Sequence, residues 1–140
     1  MDFLAIQNRA RFFEIWKKAS LGQPLLGEEA LFAKIMQEHR QFHALFNMGE
    51  SAFDIDFSAR REVNPFLHTS LHAVVEQQLA SGAPPEVPEA FRWIQERGDE
   101  RHEAIHRIGG ILAEVLFEAI EKKRPLDEAA YLQRIRDLIS

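Results

Sequence analysis

The chain contains no cysteine. Disulfides, zinc ribbons, thiolate nucleophiles and iron–sulfur clusters are therefore excluded, and the lack of thiols suits a reducing cytoplasm. Strand signals are scarce: valine occurs five times, threonine once, and no alternating run is bounded by a two-residue hairpin turn. No apolar run approaches the roughly 18 residues of a membrane span, the longest being Gly109 to Ala113. Met1-Asp2-Phe3-Leu4 puts an acid where a secretory signal carries basic residues. A glycine-rich phosphate loop is absent, and no serine or lysine stands in a nucleophile context. Basic character is also low, with 17 Lys+Arg against 22 Asp+Glu and a net charge of −5. That balance argues against a nucleic-acid partner. The short patches Lys17-Lys18, Arg60-Arg61 and Lys122-Lys123-Arg124 fall in a loop or near helix ends, where they complement the helix dipole. The expectation is a cytoplasmic protein with no membrane and no nucleic acid among its partners, and with self-association left open.

What is present is an ordinary globular balance, 46% apolar and 28% charged over 140 residues. A chain of this length buries enough surface to fold as a single domain, here 1–140. Its periodicity is helical. The first helix runs from about Asn8 to Ser20, with Phe12, Phe13, Ile15, Trp16 and Ala19 on its apolar side, and ends at Gly22-Gln23-Pro24. The second starts near Gly27 and carries Leu31, Phe32, Ile35, Met36, His39, Phe42, His43 and Phe46. A long loop follows at about 48–63. Asn64-Pro65 is a helix start: Asn64 caps and proline is tolerated at the first helical position. Further helices are expected over Pro88 to Arg97, from about Glu100 to Lys122, and from Pro125-Leu126-Asp127 onward. The predicted fold class is all-α, a single-domain bundle of five to six helices.

Each of the six histidines has a partner four residues away: His39/His43, His68/His72 and His102/His106. Random placement supplies well under one such pair. Four helical residues rise about 6 Å and turn about 40° past one full turn, so both imidazoles leave one face and can grip one ion. Glu76 extends the second pair by another turn. The predicted metal ligands are His39, His43, His68, His72, Glu76, His102 and His106. Asp99 is a further candidate for ligand or supporting group. Three buried pairs without ligands would each need hydrogen-bond partners, so a hydrogen-bonded histidine cluster is the alternative use. With imidazole and carboxylate alone, zinc, iron, manganese, nickel and copper remain open, in a mononuclear or dinuclear site. Zinc, iron or manganese is the cofactor carried forward.

Other motifs carry less. His102-Glu103-Ala104-Ile105-His106 reads H-E-x-x-H, but Glu103 projects about 60° beyond His106 and no third-ligand pattern accompanies it. Glu38 neighbours His39 on another helical face. Asp54 and Asp56 lie in the long loop, and Glu114/Glu118 read as a solvated edge. Gly109-Gly110 weakens the middle of a helix, which suggests close approach by another backbone or a ligand.

Asn64-Pro65-Phe66-Leu67-His68, with His72 and Glu76-Gln77, resembles the bacterial family called domain of unknown function 1841. Gly22-Gln23-Pro24-Leu25, the first histidine pair, Gly98-Asp99 with the third pair, and Tyr131-Leu132 extend the likeness over nearly the whole chain. In that family the third pair carries its acid just before the second histidine, where this chain has Ile105, which weakens a special role for Glu103. The resemblance implies a cytosolic bacterial protein and supplies no activity. The functional expectation is a small helical metal-binding protein, with hydrolysis by metal-bound water or redox chemistry as candidate reactions and no substrate indicated. The alternative is a non-catalytic interaction module with structural histidines, docking through the Phe12, Phe13, Ile15 and Trp16 face.

Overall fold

The computed structural model describes residues 9–55, 57 and 64–140. Among these are seven α-helices and no strand: α1 (Arg9–Ser20), α2 (Gly27–Glu38), α3 (His43–Asn47), α4 (Pro65–Ser81), α5 (Glu86–Glu96), α6 (Arg101–Glu121) and α7 (Glu128–Leu138). Short 3-10 turns lie at Arg40–Phe42 and Gly49–Ala52. The chain forms two compact units, Met1–Ala73 and Val74–Ser140, and the division falls inside α4.

The helix count exceeds the five to six expected because the second predicted helix does not run through to Phe46. It ends at Glu38, and His39 leaves the helical region at φ −102°, ψ 75°. The 3-10 turn then leads into α3. His39 and His43 are therefore not a helical pair. The expected loop at about 48–63 begins with the Gly49–Ala52 turn, while Asp56 and most of its second half lie outside the described residues.

In the first unit, α1 closes as its sequence indicates. Gly22 adopts φ +70°, its N–H donates to Ala19 O at 3.1 Å, and Gln23 N–H donates to Lys18 O at 2.9 Å. This is a Schellman closure with glycine at the left-handed position. The core is built from phenylalanine: Phe12, Phe32, Phe42, Phe46, Phe57 and Phe66 are buried with Ile15, Ile35 and Met36. The Phe66 ring lies 5.4 Å from that of Phe12, 5.9 Å from Phe13, 6.1 Å from Phe46 and 6.3 Å from Phe57, all edge-on. The Arg9 guanidinium sits 4.9 Å above the same ring and donates to the carbonyls of Ala52, Phe53 and Ile55, each at 2.9 Å. Phe13 and Trp16 pack against this core, so the α1 face is spent on folding rather than left for a partner. Trp16 Nε1–H donates to Asn47 Oδ1 at 2.8 Å, pinning α1 to the end of α3.

The start of α4 matches its sequence signature. Asn64 Oδ1 accepts from Phe66 N–H at 3.0 Å and from Leu67 N–H at 3.2 Å, the N-cap arrangement. Residues Thr69 to Val75 are all buried. The two hydroxyls among them donate to carbonyls one turn back, Thr69 to Pro65 and Ser70 to Phe66, at 2.8 Å each. Burial of α4 thus leaves neither hydroxyl unsatisfied.

In the second unit α5, α6 and α7 pack on one another. Ile94, Ile105, Ile108, Leu112, Val115, Tyr131 and Ile135 form the buried centre. The Tyr131 hydroxyl donates to Gln78 Oε1 at 2.8 Å, and burial pushes its pKa well above the ordinary tyrosine value. Trp93 lies in this unit beneath the Arg97 guanidinium, 3.5 Å from the ring centroid. Asp127 caps α7 by accepting from Ala130 N–H at 3.0 Å. Glu100 occupies the N-cap position of α6, and Asp99, a candidate ligand from sequence, pairs with Arg107 at 3.0 Å. Gly109 and Gly110 lie within unbroken α6, and no atom of the described residues comes within 4 Å of where either Cβ would sit. Among the described residues, no backbone makes the close approach that the sequence suggested for another backbone or a ligand.

Candidate metal site

The break at the end of α2 creates the site. His39, the first residue beyond the helix, is 1% exposed and holds its Nδ1 2.7 Å from Ile35 O. A carbonyl only accepts, so Nδ1 carries the proton and the neutral ring keeps its lone pair on Nε2. This carbonyl–histidine arrangement is the one that orients metal-ligating imidazoles. The His39 ring stacks on Phe42, with centroids 5.6 Å apart and planes 6° from parallel.

That lone pair points at α4. His39 Nε2 lies 3.1 Å from His68 Nε2, and the His39 and His72 ring centroids are 5.2 Å apart. One ring nitrogen from each of His39, His68 and His72 lies within 4.8 Å of the other two. Two nitrogens bound to one ion at about 2.0–2.1 Å stand about 2.9 Å apart at a right angle and about 3.4 Å apart at the tetrahedral angle. The observed 3.1 Å falls between these limits. His68 and His72 share a face of α4, as their spacing predicts, and Phe42 closes one side of the group at 5.4 Å from the His68 ring.

Two of the remaining predicted ligands, His43 and Glu76, are held by protein partners. His43 Nε2–H donates to Met36 O at 3.0 Å and Gln37 O at 3.1 Å, capping the carbonyl end of α2, and its ring centroid lies 4.9 Å from that of Trp16. Both Glu76 oxygens are held by the Arg101 fork at 2.6 Å. His102 and His106, in the second unit, bring their ring centroids within 4.0 Å of each other. Glu103 is exposed, as is Asp54, and neither belongs to a group of potential ligands among the described residues. Glu118 is gripped by Arg134 at 2.7 Å, and that hydrogen bond holds its carboxyl below the usual carboxylate range. One residue is missed from sequence. Glu38, assigned there to another face, places a carboxylate oxygen within 4.8 Å of a His72 ring nitrogen. Glu38 is the last helical residue and His39 the first outside, so the 100° helical separation of neighbours no longer governs them.

His43 thus has a structural use. His43→Ala is expected to lower stability by about 1 kcal/mol through two lost hydrogen bonds at the helix end, while changing metal affinity less than twofold. Denaturant unfolding and metal titration of the same sample measure the two effects.

An all-α chain with convergent imidazoles from a broken helix end and a capped helix is the class that the fold and site define. Residues 5–137 match the family model described as Domain of unknown function (DUF1841), so the chain belongs to that family. No curated protein and no solved structure matches the chain at a significant level. Among the described residues, no helix is long and apolar enough to cross a membrane.

Proposed function

We propose that the protein binds one divalent transition-metal ion through His39, His68 and His72. The observation that carries this reading is the convergence of their ring nitrogens within 4.8 Å, with the His39 lone pair directed into the group by the bond to Ile35 O. Imidazole donors suit zinc, iron or manganese, and three neutral ligands leave coordination positions for water or substrate. A divalent ion held by these histidines would supply a nucleophile from bound water, which makes metal-dependent hydrolysis the chemistry favoured by this donor set. His102 and His106 remain proposed ligands on their spacing. Glu76 and His43 are better explained by their protein partners.

The interaction-module alternative keeps one supporting observation. Phe117 and Ile120, three residues apart on α6, are 54% and 56% exposed.

Elemental analysis of protein purified without a histidine tag tests the main reading. The expected result is one zinc, iron or manganese per chain and a melting temperature that falls with chelator and recovers with added metal. A metal-free protein whose melting temperature ignores both treatments would overturn it in favour of the module.

A further inference from the structure

We propose that Glu38 is the carboxylate ligand of this site, joining His39, His68 and His72. The inference rests on the metal-binding reading above. Glu38 stands outside the tight group of His39, His68 and His72, but its carboxylate oxygen lies within 4.8 Å of a His72 nitrogen. Two ligands bound to one ion at about 2.1 Å lie at most about 4.2 Å apart. An exposed glutamate covers the difference by changing rotamer.

Charge supports the same assignment. Three neutral imidazoles leave a divalent ion with its full charge beside the buried His39, His72 and Phe42 side chains, and an anionic ligand lowers the cost of holding it there. The acid is otherwise badly placed. Glu38 ends α2, whose last turn has no basic residue, so its charge faces the negative end of the helix dipole. A bound cation turns that repulsion into attraction.

Titration of the full chain with Co2+, read by the visible d–d bands, tests the assignment in wild type, Glu38→Gln, Glu38→Asp and His68→Ala. The expected result is a loss of about 10-fold or more in Co2+ affinity in Glu38→Gln with altered bands, and partial recovery in Glu38→Asp. Glu38→Gln binding within twofold of wild type, with unchanged bands, would overturn the role of Glu38 while the three-histidine site stands. Wild type that takes up no Co2+, or His68→Ala that binds as wild type does, would instead overturn the site itself and Glu38 with it.

Discussion

His68→Ala is expected to abolish the proposed stoichiometric zinc binding, with affinity falling by at least about 100-fold. Loss of a supporting group around a metal commonly costs 10–100-fold, and His68 is assigned to direct ligation. Its Nε2 lies 3.1 Å from His39 Nε2. Without it, His39 and His72 are left as a bidentate clamp from two elements. His68 is the better choice for substitution because it is only half-buried, whereas His39 is 1% exposed, stacked on Phe42 and bonded to Ile35 O. Competition against a chromogenic chelator measures the loss, and an unchanged helical circular dichroism spectrum shows that the fold persists. Retention of wild-type affinity would sink the proposed site.

Phe66→Ala is expected to destabilise the first unit by about 3–5 kcal/mol, the usual range for emptying a buried phenylalanine position. Phe66 is 2% exposed, meets four other aromatic rings and lies beneath Arg9. No single neighbour fills the space it leaves, since the surrounding rings come from α1, α3 and position 57. Phe66→Leu should lose less because part of the volume is restored. Urea unfolding of the two variants beside wild type gives the comparison; equal midpoints for wild type and Phe66→Ala would contradict the central place of this ring. The residue also stands one turn before Ser70 and two residues before His68, so loosening the start of α4 should broaden metal binding as well as weaken folding.

Local signals carried much of this architecture. Asn64-Pro65 announced α4 because capping and proline geometry are decided within four residues, and Gly22 announced the end of α1 for the same reason. The termination of α2 was hidden. No glycine or proline marks His39, and Phe42 and Phe46 stay on the core side after the break, so the apolar spacing survives a change of backbone path. For the same reason four-residue spacing correctly put His68 and His72 on one face but joined His39 to His43 wrongly. His39 is instead oriented by a carbonyl and a stacked ring, and His43 by the helix end. Glu76 had the right spacing for a ligand, yet its partner Arg101 lies 25 residues away, beyond any helical periodicity. Glu38 was set aside by a wheel that assumes a helix continuing through its neighbour.

The chain has two tryptophans, Trp16 in the first unit and Trp93 in the second. Intrinsic fluorescence therefore contains one emitter from each, and a Trp→Phe replacement at either position silences one channel. Trp16 fluoresces beside the His43 ring, and Trp93 under a guanidinium, so their spectra start from different surroundings. Two single-tryptophan proteins would separate the melting of Met1–Ala73 from that of Val74–Ser140 without any added dye.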